Sequence, residues 1–139
     1  MIGKVIFSVM LFATACHAHT CTSYNQHPEE ISFDFARNSA ALSSKDMMDF
    51  ANWSIYIKNK YPLQWASVVS ASAAPYEKNP SDLATHRADL IKAWAVKFGL
   101  AKIRIESSIE LPKDVSDWRQ TAQAGGIDFI PGCPNDCCD

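Results

Sequence analysis

The chain has 139 residues, of which 47% are hydrophobic and 20% charged, which is enough for one ordinary globular domain and too little for two. Its formal net charge is −2, and it has neither a basic stretch interleaved with aromatic residues nor an acidic tail. This balance argues against nucleic acid as a partner and gives no support for a strongly charged polymeric ligand.

Residues 1–18 have the pattern of a secretory signal peptide. Lys4 supplies the positive charge, residues 5–15 form a short apolar run, and residues 16–18 resemble a small-residue cleavage site. The run is too short to span a bilayer comfortably. A bacterial lipoprotein signal is the alternative, with cleavage before Cys16 and a lipid anchor in the outer membrane on that residue. We favour ordinary secretion, because lipoprotein signals usually carry Leu at the position where this chain has Ala13.

The cysteine count favours disulfides at the two ends of the mature chain. Cleavage after Ala18, or lipidation of Cys16, leaves an even set of thiols: Cys21, Cys133, Cys137 and Cys138. In an exported protein we expect at least one bond from Cys21 to a C-terminal cysteine, with the partner left open. The spacing of these cysteines and of the nearby histidines matches no strong metal signature, so we predict no metal and no cofactor.

The first half of the domain is predicted as strand, helix, strand. A polar lead-in over residues 19–30 precedes the alternating residues 31–35, which indicate a half-buried strand. Ser43 and Asp46 resemble a capping box that opens a helix of about residues 43–60, ending before Pro62. Residues 63–71 alternate again and indicate a second strand.

The second helix contains the most informative residue, Arg87. Asn79 is suited to cap this helix, Pro80 to its first position, and Gly99 to the left-handed residue that follows it. At about 100° per residue, Arg87 lies near the centre of the apolar stripe. That stripe consists of Leu83, Leu90, Ile91, Trp94 and Phe98. Either Arg87 packs on the core and reaches a carboxylate or carbonyl groups, or its guanidinium binds a ligand.

The last third of the domain completes an α+β fold. Residues 102–111 alternate strictly, with Ile103, Ile105, Ile109 and Leu111 predicted on one face of a strand. A short helix over residues 112–124, ended by Gly125 and Gly126, is followed by a strand over residues 127–130 and a Cys-rich tail over 131–139. The order predicts a two-layer α/β sandwich, a mixed four-stranded sheet with helices on one face.

Several segments of residues 31–130 resemble the OmpA-like domain of bacterial outer-membrane proteins and peptidoglycan-associated lipoproteins. Residues 31–35 with Ser39 and Leu42 are similar to its opening strand and turn, and residues 83–88 to its Leu-Ser-x-x-Arg-Ala segment. Residues 100–110 followed by Pro112 are similar to its third strand, and residues 124–129 occupy the place of its closing strand. The resemblance implies the βαβαβαβ order of that family.

The resemblance also implies a ligand site around Arg87. In the family, the matching arginine helps to hold the diaminopimelate carboxylate of peptidoglycan, opposite an aspartate on the loop after the second strand. A guanidinium suits this task because it binds a carboxylate through two parallel bonds. Here Ser72 ends the segment that should contain the aspartate, and Pro80, next to Asn79, replaces the family's asparagine. We therefore predict Arg87, Ser72 and Asn79 as the ligand-binding residues. If no ligand is bound, we expect Arg87 to pair with Asp34, Asp128 or the chain terminus.

The predicted function is non-covalent binding by an exported bacterial-type envelope protein, in the periplasm or on the periplasmic face of the outer membrane. The partner is peptidoglycan peptide or an envelope protein. The alternative is a periplasmic inhibitor or immunity-type protein that uses the scaffold only for protein–protein interaction. Neither a nucleophile with a base nor a catalytic pair of carboxylates stands out in the sequence, so we predict no enzymatic activity.

Overall fold

Four strands and two helices make up the part of the chain that the computed structural model describes, residues 28–110 and 123–132. In chain order they are β1 (Glu29–Asp34), α1 (Ser44–Lys60), β2 (Gln64–Ala73), α2 (Pro80–Lys97), β3 (Ile103–Glu110) and β4 (Ala124–Pro131). The signal peptide, Cys16, the four other cysteines and residues 112–122 of the predicted third helix lie outside the described residues. The predictions made for them stay predictions.

The strands form one mixed sheet in the order β1-β4-β2-β3. β4 is antiparallel to both of its neighbours, while β2 and β3 are parallel. The parallel pair is connected through α2, as a βαβ unit requires. The predicted α+β fold with a mixed four-stranded sheet is confirmed.

The first helix begins where the sequence predicts. Ser43 has an extended backbone and its Oγ accepts a hydrogen bond from the N–H of Asp46 at 3.1 Å. The buried residues Phe50, Ser54 and Ile57 are spaced by three and four, which places them on one face of α1. Ser54 donates its hydroxyl to the carbonyl of Phe50, so the buried polar group is satisfied within the helix.

The second helix begins and ends at the predicted residues, but its predicted side-chain cap does not form. Gly99 has φ +82°, the left-handed conformation expected after the helix. Asn79 is left-handed as well, at φ 46°, and its side chain makes no capping hydrogen bond. Asn79 occupies the predicted N-cap position, and its carbonyl accepts the N–H of Leu83 at 2.9 Å. The side-chain cap does not form, because a capping side chain needs an extended backbone to reach the first N–H groups. Pro80 occupies the start of the helix, where its missing N–H costs nothing.

The pairing of the third strand with β2 shifts in the middle. Val69 pairs with Ile105 but Ser70 pairs with Ser107, so one extra residue stands in β3 at this point. The shift places Ile109 in register with Ser72. Ile103 and Ile105 both pack against the hydrophobic core, as their predicted shared face implies. The side chains of residues 106–110 and the whole of Leu111 lie outside the described part of the chain, so the predicted positions of Ile109 and Leu111 on that face stay predictions.

The last strand is longer than predicted and includes both glycines. Gly125 and Gly126 pair with Ala71 and Ser70 of β2 rather than ending a helix. A Cβ atom on Gly125 would lie 2.7 Å from Cδ1 of Ile91, and one on Gly126 would lie 2.8 Å from the carbonyl oxygen of Ile31. These positions are glycine because the neighbouring atoms leave no space for a side chain.

One hydrophobic core joins both helices to the same face of the sheet. Its fully buried members include Phe50 and Ile57 of α1, Ile91 of α2, and Val69 and Phe129 of the sheet. The ring of Phe50 lies 5.0 Å from that of Phe33 and 5.2 Å from that of Phe98, which joins β1, α1 and the end of α2. The two described helices therefore form one layer and the sheet the other.

The described chain enters and leaves the sheet at the same end. Glu29, the first residue of β1, pairs with Phe129 near the end of β4, and the N–H of Gly132 donates to the carbonyl of Leu63. The cysteines lie outside the described residues, so the predicted bond from Cys21 to a C-terminal cysteine stays a prediction and its partner stays open. None of the described helices is both long and apolar enough to cross a membrane.

Candidate functional site

Arg87 is fully buried and its guanidinium is saturated by the protein itself. An arginine side chain has five N–H donors. Nε donates to the carbonyl of Ser39 at 2.9 Å, and Nη1 donates to the carbonyl of Ser72 at 2.8 Å. Nη2 donates to the carbonyl of Ala36 at 3.4 Å, and both terminal nitrogens also bind Glu77. All five donors are therefore in use.

The carboxylate that pairs with Arg87 belongs to Glu77. Its Oε1 lies 2.7 Å from Nη2 and its Oε2 lies 2.9 Å from Nη1, the two-bond geometry that suits a guanidinium and a carboxylate. Both side chains are fully buried. The expected internal partners Asp34 and Asp128 are therefore wrong, because Glu77 takes that place, while the chain terminus lies outside the described residues. The internal acid lies on the turn between β2 and α2, ten residues before the arginine.

Glu77 also holds two backbone segments in place. Its Oε1 accepts from the N–H of Asn38 at 2.7 Å and its Oε2 from the N–H of Ala74 at 2.8 Å. Asn38, which is left-handed at φ 57°, accepts the N–H of Lys78 on its side-chain oxygen at 2.7 Å. The loop after β1 and the turn after β2 are thus tied to each other and to Arg87.

The arrangement is strongly constrained because both charges are away from water. A buried ion pair contributes little net stability, but each member is costly to leave alone. Here each carboxylate oxygen has two N–H donors and the guanidinium has no free donor. The guanidinium carbon also lies 5.0 Å from the centre of the Phe35 ring. No described side-chain polar atom that is buried lacks a hydrogen-bond partner.

Comparisons with known proteins bear on the fold. No family model matches the sequence, and no curated protein matches it. Solved structures do match. The OmpA-like domain of FopA1 from Francisella tularensis aligns over 73% of this chain and 72% of its own, with 17% identity and a TM-score of 0.58. The periplasmic domain of Helicobacter pylori MotB aligns over 80% of this chain and 81% of its own, with 13% identity and a TM-score of 0.58. The chain has the OmpA-like fold.

A further OmpA-like neighbour is the peptidoglycan-associated lipoprotein from Burkholderia pseudomallei. It aligns over 73% of this chain and 89% of its own, with 15% identity and a TM-score of 0.54. Identities of this size establish the fold alone. The sequence resemblance to a divergent OmpA-like domain is confirmed at that level.

The structure brings two of the three predicted site residues together. Ser72 contacts Arg87, although through its backbone carbonyl, while its hydroxyl donates to the carbonyl of Ala124 at 3.3 Å. Asn79 is exposed at the start of α2 and makes no capping bond. Ligand binding by Arg87, Ser72 and Asn79 stays a prediction, and contact between a ligand and the Arg87 guanidinium would require Glu77 to leave.

Sequence reasoning missed Glu77 as a site residue. A signal for it exists: Glu77 is the first carboxylate after the second strand and stands just before the helix that contains Arg87. Because β2 and α2 lie side by side, a residue in the turn between them is close to the first turns of the helix. Within the described residues, no group of three or more His, Cys, Asp or Glu side chains could hold a metal ion.

The pKa of Glu77 makes the site sensitive to acid. Burial alone would raise the pKa, but the hydrogen bonds from Arg87 and from the N–H groups of Ala74 and Asn38 outweigh it and hold the pKa below its usual value of 4.5. In the unfolded chain the carboxyl group keeps its ordinary pKa, so acid protonates the unfolded state first. The stabilisation is present above pH 4.5 and is lost as the pH falls through the lower, folded-state pKa.

We therefore expect the free energy of unfolding to fall as the pH is lowered below about 4.5, the ordinary glutamate value. Glu77→Gln should be less stable than the wild type at pH 7 and should show a flatter acid dependence. Urea unfolding at a series of pH values measures both. Glu29→Gln is the comparison: bonds from Lys60 and Tyr61 also lower the pKa of Glu29, but this pair is partly exposed and screened by water, so its loss should change the acid dependence less than Glu77→Gln does. Equal acid dependence in the wild type and Glu77→Gln would contradict this role of Glu77.

Proposed function

We propose that this protein is an exported, bacterial-type envelope protein whose OmpA-like domain binds peptidoglycan peptide or an envelope protein without forming a covalent bond. Its proposed location is the periplasm or the periplasmic face of the outer membrane. The fold supports this proposal, since solved structures with the same fold include periplasmic domains and a peptidoglycan-associated lipoprotein. The signal-peptide pattern of residues 1–18 agrees with export.

The observation that carries the proposal is the position of Arg87. It stands in the segment that resembles the family's Leu-Ser-x-x-Arg-Ala motif and is buried beneath two loops at one end of the sheet. Since its five donors are used by internal acceptors, we propose that Arg87 supports the binding surface from below. The carboxylate of Glu77 then occupies the place that a ligand carboxylate would take on a free guanidinium.

A sacculus pull-down tests the proposal. The mature chain is mixed with purified peptidoglycan sacculi at physiological salt, and its distribution between pellet and supernatant is measured. We expect the wild type in the pellet. Arg87→Ala, checked for folding by circular dichroism, should be released, because the loops that Arg87 and Glu77 hold together would no longer be ordered. Wild-type protein that stays in the supernatant would contradict wall binding.

One observation favours the alternative, a periplasmic inhibitor or immunity-type protein. Met48 and Ile55 on the outer face of α1 are 66% and 56% exposed, and Tyr56 beside them is exposed as well. Apolar side chains grouped on an exposed helix face suit a protein partner. A folded wild-type chain that does not bind sacculi would favour this second function over the first.

A further inference from the structure

The surface above the buried Arg87–Glu77 pair is basic and aromatic. It consists of Arg37 on the loop after β1 and of Tyr76 and Lys78 on the turn after β2, and we call these three residues the Arg37–Lys78 rim. The guanidinium carbon of Arg37 lies 4.9 Å from the centre of the Tyr76 ring, and its Nη2 donates to the carbonyl of Tyr76 at 3.5 Å. The side chains of all three residues are exposed.

The two cations of the rim have no acidic partner among the described residues. The ion pairs described there join Lys45 to Asp49, Lys60 to Glu29, and Arg87 to Glu77. Arg37 uses one N–H in its long bond to Tyr76, which leaves most of its donors directed at solvent. Glu77 lies between Tyr76 and Lys78 in sequence, but its carboxylate is buried and already bonded to Arg87.

The rim is held in position although its side chains are exposed. Asn38 links the two loops, because it donates its N–H to Glu77 and accepts the N–H of Lys78. Both cations are therefore attached to backbone that the buried ion pair fixes. A site that is ordered before binding loses less entropy when a ligand arrives.

The start of α2 adds a partial positive charge next to the rim. Asn79 provides no side-chain cap, and Pro80 has no N–H, so the first N–H groups of α2 have no side-chain acceptor from the cap position. Asp82 in the first turn is the acidic residue of this helix end, and it forms no ion pair with either rim cation. The positive end of α2 thus begins two residues after Lys78 in the chain.

We propose that the Arg37–Lys78 rim binds a free carboxylate of a cell-wall peptide, with the guanidinium of Arg37 and the ammonium of Lys78 as donors and the Tyr76 ring as an apolar contact. This inference rests on the proposed wall binding and names the residues that would perform it. Because Glu77 occupies the guanidinium of the buried Arg87, the proposed site uses two cations at the surface instead. Arg37 and a carboxylate form the stronger, two-bond contact, and Lys78 adds a point charge.

The test uses soluble peptide fragments released by enzymatic digestion of sacculi, titrated into the mature protein by calorimetry. We expect Arg37→Ala/Lys78→Ala to weaken binding at least tenfold. The control Lys45→Ala/Lys92→Ala removes the same charge from exposed positions on α1 and α2 and should bind like the wild type. Fragments whose carboxyl groups have been amidated should not bind, and raising the salt concentration should weaken binding of untreated fragments.

The outcomes separate this inference from the proposed function. If the wild type and the rim variant are retained equally on sacculi and bind the fragments equally, the rim is excluded while wall binding stands. If amidated fragments bind as well as untreated ones, the carboxylate chemistry is wrong. If the wild type binds neither sacculi nor fragments, both proposals are overturned. Loss of binding in both double variants would show an effect of net charge alone and would overturn the rim as a specific site.

Discussion

Replacing Arg87 with alanine is expected to lower the free energy of unfolding by about 3–5 kcal/mol, the range for removing one partner of a buried ion pair. The loss has two sources. The carboxylate of Glu77 would stay buried with only its two backbone N–H donors. The partly buried carbonyl groups of Ser39 and Ser72 would also lose the hydrogen bonds that Arg87 donates.

Urea unfolding at pH 7 measures this effect, which is a large share of the roughly 5–15 kcal/mol that stabilises a typical domain. Arg87→Met/Glu77→Leu is the informative control. It removes both charges and restores apolar volume, so it should be more stable than Arg87→Ala. An unchanged unfolding midpoint for Arg87→Ala would contradict the assignment of Arg87 as an internal brace.

The burial of Arg87 could be predicted from the sequence because it follows from helix geometry alone. The apolar stripe of α2 determines which face meets the core, and Arg87 lies on that face whatever its partner is. The same reasoning placed the capping box of Ser43 and Asp46 and the left-handed Gly99 correctly. Local patterns of this kind depend on residues within one or two turns of each other.

The features that could not be predicted depend on residues far apart in the chain. The sequence predicts a partner for Arg87 in the strands or at the chain terminus, whereas the turn after β2 folds back and brings Glu77 to it. The extra residue in β3 opposite Val69 and Ser70 follows from how β2 and β3 pair, which neither strand reveals by itself. In the sequence, Gly125 looks like a residue that ends a helix. The structure shows that glycine is needed there because Ile91 and Phe35 approach closely, a contact that a linear pattern does not reveal.

Gly125→Ala is expected to have the second large effect, a loss of about 1–3 kcal/mol from overpacking. The new methyl carbon would lie 2.7 Å from Cδ1 of Ile91, 3.0 Å from Cε2 of Phe35 and 3.3 Å from the carbonyl oxygen of Ser70. Ile91 and Phe35 are buried, so neither can move into solvent. Alanine restricts the unfolded chain more than glycine does, which offsets about 0.4–1 kcal/mol of the loss.

The cause can be tested by removing the atom that the methyl group would meet. Ile91→Val deletes Cδ1 and alone should cost about 0.5–1.5 kcal/mol. If the contact with Ile91 dominates, the double variant Gly125→Ala/Ile91→Val should lose less free energy of unfolding than the sum of the two single losses, by at least about 0.5 kcal/mol.

Gly126→Ala is the matched control, because its methyl group would meet the backbone oxygen of Ile31 at 2.8 Å and gain nothing from Ile91→Val. Strictly additive losses for Gly125→Ala and Ile91→Val would exclude Ile91 as the obstacle. The ring of Phe35, which also lies under the guanidinium of Arg87, would then be the side chain that the methyl group displaces, and stability of the buried ion pair would fall with it.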